Sequence, residues 1–134
     1  GEVWPWLVPL AQALAALHDH GFVHGDLKPG NILLRHLGEP VLTDFGLARR
    51  EGETQAGGSA AYLSPERIAG APTSFADDVY GFGRVIEEAL TAHNPVEISG
   101  QWPQRVSAIA TACLAKKNER IPSARKLVEL LART

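Results

Sequence analysis

The chain has 134 residues, 45% hydrophobic and 21% charged, with a formal net charge of -2. That is enough to bury about two thirds of the unfolded surface in one compact domain, and the scattered basic residues leave no positive face for nucleic acid or an anionic membrane. The single cysteine, Cys113, excludes an internal disulfide, and no apolar run approaches the roughly 18 residues of a membrane span, so a reducing, cytoplasmic setting is expected.

Leu7, Leu10, Ala11, Leu14 and Leu17 recur at helical spacing and predict an amphipathic helix from about 7 to 20 that ends at Gly21. Pro5 and Pro9 cannot both lie deep inside it, so either the helix starts near Pro9 or its first turns are kinked. His18, His20 and His24 place three imidazoles within seven residues, but no cysteine or second histidine cluster completes a zinc site. The first two are accounted for as cations at a helix C-terminus, where the dipole favours them.

The stretch from His24 to Leu34 carries an acid, Asp26, a base, Lys28, and an amide, Asn31, around a turn set by Pro29 and Gly30. The three polar groups can converge: a carboxylate there can take a proton from a hydroxyl, and the amide oxygen can hold a divalent metal. Ile32-Leu33-Leu34 and Val41-Leu42-Thr43 read as a hairpin turning through Gly38-Glu39-Pro40, which delivers Asp44-Phe45-Gly46 beside Asn31. Residues 47–61 show no apolar periodicity and read as a flexible loop.

Thr73 and Ser74 offer an N-cap, and Ser74 with Asp77 makes a start like a capping box, for a central helix reaching about Ala92, in which Gly81 and Gly83 imply close backbone packing. Residues 94–100 read as irregular, and helices over about 103–116 and 123–132 close the chain, with Cys113 in the core. The fold class is therefore mainly α with a small β-hairpin (α+β).

Four ordered motifs resemble those of protein kinases, and the resemblance they carry runs over nearly the whole chain. His24-Gly25-Asp26-Leu27-Lys28-Pro29-Gly30-Asn31 is similar to the catalytic loop His-Arg-Asp-Leu-x-x-x-Asn, with Gly25 in place of the usual arginine. Asp44-Phe45-Gly46 matches the metal-binding motif, and Gly58-Ser59-Ala60-Ala61-Tyr62-Leu63-Ser64-Pro65-Glu66 resembles the close of an activation segment. Asp78-Val79-Tyr80-Gly81-Phe82-Gly83 is similar to the start of the core helix whose Asp anchors the catalytic loop.

The resemblance implies a protein-kinase-like large (C-terminal) lobe over residues 1–134 and phosphoryl transfer from ATP, with Mg2+, to serine or threonine of a protein substrate. It implies that Asp26 accepts or orients the hydroxyl proton, that Lys28 stabilises the transferring phosphoryl group, and that Asn31 and Asp44 hold magnesium. Leu33 would lie under the adenine, and His24 and Phe45 would stack between the metal-binding loops and the core helix. Ser59 would hydrogen-bond near Asp26 and Lys28, and Glu66 would pair with Arg120.

Gly25 removes the cation that reads an activation-loop phosphate, so phosphorylation of Thr54 or Ser59 is not expected to be an obligatory switch. The same glycine resembles small-molecule phosphotransferases of the aminoglycoside and choline type, although those commonly have His where this chain has Lys28 and lack the Tyr62-to-Glu66 close. No Gly-rich loop or Val-Ala-x-Lys strand precedes Trp4, and the chain has no methionine. The N-terminal lobe is therefore expected to lie outside this piece, leaving it weakly active or inactive alone; a non-catalytic binding module is the remaining reading.

Overall fold

A computed structural model describes residues 4–35, 39–45, 48–54, 57–92 and 102–133. Helix α1 runs Leu7–Asp19. It begins two residues before Pro9, which occupies the third helical position. An N–H there would have no intrahelical acceptor, so the ring costs the helix nothing. At the other end the Gly21 N–H donates to the His18 carbonyl at 2.9 Å. Gly21 then turns the chain with φ of 85°, a left-handed conformation suited to glycine.

Two short antiparallel pairs follow. Strand β1 (Phe22–Val23) pairs with β4 (Arg49–Arg50), and β2 (Ile32–Leu34) pairs with β3 (Pro40–Leu42) in the register Ile32 to Leu42. The second pair is the expected hairpin, with its return strand one residue earlier than the sequence suggests. Pro40 tolerates this because it opens the strand, where its missing N–H is harmless. Gly38 of the expected turn lies outside the described residues.

The first pair corrects the reading of residues 47–61 as a flexible loop. Arg49 and Arg50 are laddered onto β1, and residues 60–62 form a 3-10 turn. A two-residue strand is too short to show a period of two, so pattern alone misses it.

The helices supply the core. After the short α2 (Pro65–Ile68), the central α3 runs Phe75–Ala92, followed by α4 (Trp102–Cys113) and α5 (Ala124–Ala132). Helix α3 packs on α4 and α1 on α5, around fully buried Leu10, Leu14, Phe82, Ile86, Val106 and Leu127. Helix α4 stops three residues short of the expected Lys116, and the stretch 94–100 lies outside the described residues.

The two helical glycines are explained by contact. A Cβ on Gly83 would fall 2.6 Å from the Cys113 Cβ, and one on Gly81 would fall 3.2 Å from both the Cβ and the carbonyl oxygen of Leu27. Their absence brings α3 against α4 on one side and against the 24–31 loop on the other. Cys113 is fully buried, and burial pushes its thiol up to about 12, which makes it an inert core residue.

The start of α3 is capped differently from expectation. Asp77 Oδ2 accepts from the Ser74 N–H at 2.9 Å, which is one half of a capping box. The Ser74 hydroxyl is buried without a partner among the described residues. Asp77 turns its other oxygen to the Ser64 hydroxyl at 3.1 Å, and Arg67 Nε lies 3.5 Å from Oδ2. Burial raises the Asp77 pKa, and the hydrogen bonds from Ser74 and Ser64 reverse only part of that.

Candidate active site

The loop between β1 and β2 is suspended from α3. Asp78 is almost fully buried, and its carboxylate accepts from the His24 N–H at 2.8 Å, the Gly25 N–H at 3.0 Å and His18 Nε2 at 2.8 Å. His18 also lies against the Phe75 ring, with centroids 4.6 Å apart. The expectation that His18 is merely a cation at a helix end is thus incomplete: it is a half-buried partner of the residue that holds the loop. His20 has a separate role, with Nδ1 at 2.8 Å from the Ala16 carbonyl of its own helix.

His24 bridges the two loops. Its Nδ1 accepts from the Asp26 N–H at 3.2 Å, which leaves Nε2 as the protonated nitrogen donating to the Thr43 carbonyl at 2.9 Å. Its ring meets Phe45 edge-on at 5.1 Å, so the stack expected from the sequence is present on that side. Gly25 follows His24 with φ of 82°, a conformation that costs a side-chain-bearing residue far more than glycine.

These anchors gather the polar groups. Asn31 Nδ2 donates to the Asp26 carbonyl at 2.7 Å and to Asp26 Oδ2 at 3.1 Å. Lys28 Nζ lies 3.8 Å from the same Oδ2 and donates to Ser59 Oγ at 2.7 Å, tying residues 57–62 to the loop. Asp26 Oδ1 is buried and has no hydrogen-bond partner among the described residues. An orphaned buried acceptor costs about 1–3 kcal/mol, and an arriving hydroxyl would recover it.

Thr43 N–H donates to the Asn31 carbonyl at 2.9 Å, so Asp44 leaves the hairpin next to Asn31. Asp44 is exposed and holds φ of 57°, the only positive value among the described non-glycine residues. Such strain clusters at functional positions. The donor types suit a hard divalent cation: with the amide nitrogen of Asn31 committed to Asp26, its oxygen and the Asp44 carboxylate are two oxygen groups that could hold one. Leu33 is 57% exposed, on the strand face opposite Ile32 and Leu34.

The segment that follows is tied down at its close. Tyr62 donates to Glu88, and Arg84 Nε donates to the Ala61 carbonyl at 3.0 Å, both from α3. The hydrogen bond to Glu88, then burial, raises the Tyr62 pKa. Arg120 meets Glu66 through both terminal guanidinium nitrogens, Nη2 at 3.1 Å from Oε2. It also donates to the Ala76 and Ala115 carbonyls, each at 3.0 Å. Burial pushes the Glu66 pKa up, yet the hydrogen bonds from Arg120 and from its own backbone outweigh it and hold the carboxyl below its usual range.

A family model described as the protein kinase domain matches residues 2–131. The chain belongs to the protein kinase family. It is 50% identical over 95 residues to the serine/threonine-protein kinase PknK of Mycobacterium tuberculosis, covering 67% of this chain and 9% of that protein. To the serine/threonine-protein kinase PkaA of Streptomyces coelicolor it is 38% identical over 144 aligned positions, covering 88% of this chain and 26% of PkaA. With the probable serine/threonine-protein kinase PknB of Corynebacterium glutamicum it shares 37% identity over 109 positions, or 75% and 17% of the two chains. The chain thus spans a quarter or less of the length of two of these curated relatives, and 26% of the third.

Within this kinase fold, sequence reasoning missed two residues of the site's support. His18 carried no signal beyond helix-end position. Thr73, which the sequence offers only as a helix cap, is fully buried and bonded to the 50–53 turn. Among the described residues, no helix is long and apolar enough to cross a membrane.

Proposed function

We propose that this chain carries the catalytic loop and protein-substrate face of a serine/threonine kinase that transfers the γ-phosphoryl group of ATP to a hydroxyl. The observation that carries the reading is the buried Oδ1 of Asp26, without a hydrogen-bond partner among the described residues and held beside Lys28 and Asn31 on a loop hung from Asp78. Asp26 takes the proton of the incoming serine or threonine as the hydroxyl oxygen bonds to phosphorus and the bridge to ADP breaks. Lys28, already near Asp26, stabilises negative charge on the transferring group. Asn31 and Asp44 would hold Mg2+, which when bound neutralises charge on the ATP phosphates. Leu33, exposed beside Asn31, offers an apolar surface for the adenine.

The Tyr62, Arg84 and Glu66–Arg120 attachments support a protein acceptor over a small molecule, because they fix the segment from Ser59 to Glu66 next to Lys28. The N-terminal lobe that would cover ATP is proposed to lie elsewhere in a longer protein, in the cytoplasm. The test is transfer from labelled ATP by the full-length protein to a serine/threonine peptide library, choline and an aminoglycoside. Label on peptide serine or threonine is the expected result, and label on the small molecules alone would overturn the reading.

A further inference from the structure

We infer that Thr73 fastens the start of the activation segment in place without any phosphate, so that the substrate face stays formed in the unmodified protein. This rests on the kinase reading of residues 44–66. Gly25 sets the problem, since the catalytic loop offers no guanidinium there to gather a phosphorylated segment. Something else must hold residues 49–53, and the structure supplies it from backbone groups, one hydroxyl and the turn's own Glu53 and Arg50 side chains.

The Thr73 N–H donates to the Glu53 carbonyl at 3.0 Å, and the Thr73 carbonyl accepts from the Gly52 N–H at 2.7 Å. Its hydroxyl lies 3.0 Å from the Arg50 carbonyl and 2.9 Å from the Glu53 carbonyl, shared between the two. The turn is closed from the other side as well. The Glu51 N–H donates to the Gly21 carbonyl at 3.0 Å, the Arg50 N–H donates to Glu53 Oε1 at 2.9 Å, and the Arg50 guanidinium covers the Phe22 ring at 4.9 Å.

Position makes this clasp functional. Thr73 is followed within five residues by Asp78, which holds His24 and Gly25, and β4 is paired to β1, which runs directly into His24. Clasp and catalytic loop are therefore fixed to the same two elements. An anion that orders a loop does so by adding charge-assisted bonds to a mobile segment; here the bonds are already made, and Thr73 is a positioning residue for the segment.

The test joins amide exchange to kinase assays, both on the full-length protein. Losing the shared hydroxyl bond should speed exchange of the Glu51 and Gly52 amides about fivefold in Thr73→Val, with Leu14 unchanged, and Thr73→Ser should restore the wild-type rate. In assays, phosphatase treatment should leave wild-type activity within about twofold, while Thr73→Val should raise the peptide KM at least about fivefold. If Thr73→Val does not fold, Glu53→Ala at an exposed position serves instead and should free the Arg50 amide. Unchanged exchange, or a tenfold loss of wild-type activity on dephosphorylation, would overturn the clasp. If the wild type transfers no phosphate but the exchange pattern holds, the kinase reading fails and the clasp stands.

Discussion

Replacing Asp78 with asparagine tests how the site is hung from the core. The carboxylate satisfies three N–H donors, at 2.8, 3.0 and 2.8 Å, in a nearly fully buried position. Asparagine keeps one acceptor oxygen. If it stays with His24 and His18, the Gly25 N–H faces an NH2 group and loses its partner. One charge-assisted bond lost outright is worth about 1.5–3 kcal/mol, and weakening the other two adds about 0.5–1 kcal/mol each. Asp78→Asn should therefore destabilise the chain by about 2.5–5 kcal/mol, a large part of a typical domain's 5–15 kcal/mol. Urea unfolding followed by circular dichroism measures the loss, and amide exchange locates it at His24 and Gly25. A loss below about 1 kcal/mol, or unchanged exchange at Gly25, would refute the anchoring role.

Other perturbations follow from the packing and the ionisable groups. Gly83→Ala should cost about 1–3 kcal/mol, because its Cβ would meet Cys113 at 2.6 Å, whereas Gly52→Ser, with nothing within 4 Å but φ of 89°, should show backbone strain alone; thermal melts compare the two. Glu66 has a depressed folded pKa, so its pair with Arg120 adds stability that is present above the unfolded glutamate pKa and lost as pH falls through the folded one. Glu66→Gln should thus flatten the acid limb of a stability-versus-pH curve, read by urea midpoints between neutral pH and the acid limit. Cys113, with its thiol pushed up to about 12, should resist a thiol reagent at pH 8 until the chain unfolds, which stopped-flow labelling with and without denaturant would show.

The site was legible where chemistry sits in consecutive residues. Asp26, Lys28 and Asn31 lie within six positions, so their types and the Pro29-Gly30 turn suffice to place them together. Asp78 was legible through its motif, and Gly81 and Gly83 through their misfit in a helix. What the chain did not disclose is non-local and lacks a period. His18 reaches Asp78 across 60 residues, and from its neighbours alone it looks like any basic residue at a helix end. Thr73 looks like a cap, yet its partners are carbonyls 20 and 23 residues upstream. Strand β4 is two residues long, and its pairing with β1 is set by the segment it begins rather than by alternation.

The measurement that bears most directly on the account is phosphoryl transfer by the full-length protein carrying Asp26→Asn, with the urea midpoint of the same variant as control. The account predicts a fall in kcat of about 10²–10⁴-fold with little change in stability, since Asp26 Oδ1 makes no hydrogen bond among the described residues. Activity within a few-fold of wild type in a folded Asp26→Asn protein would contradict it.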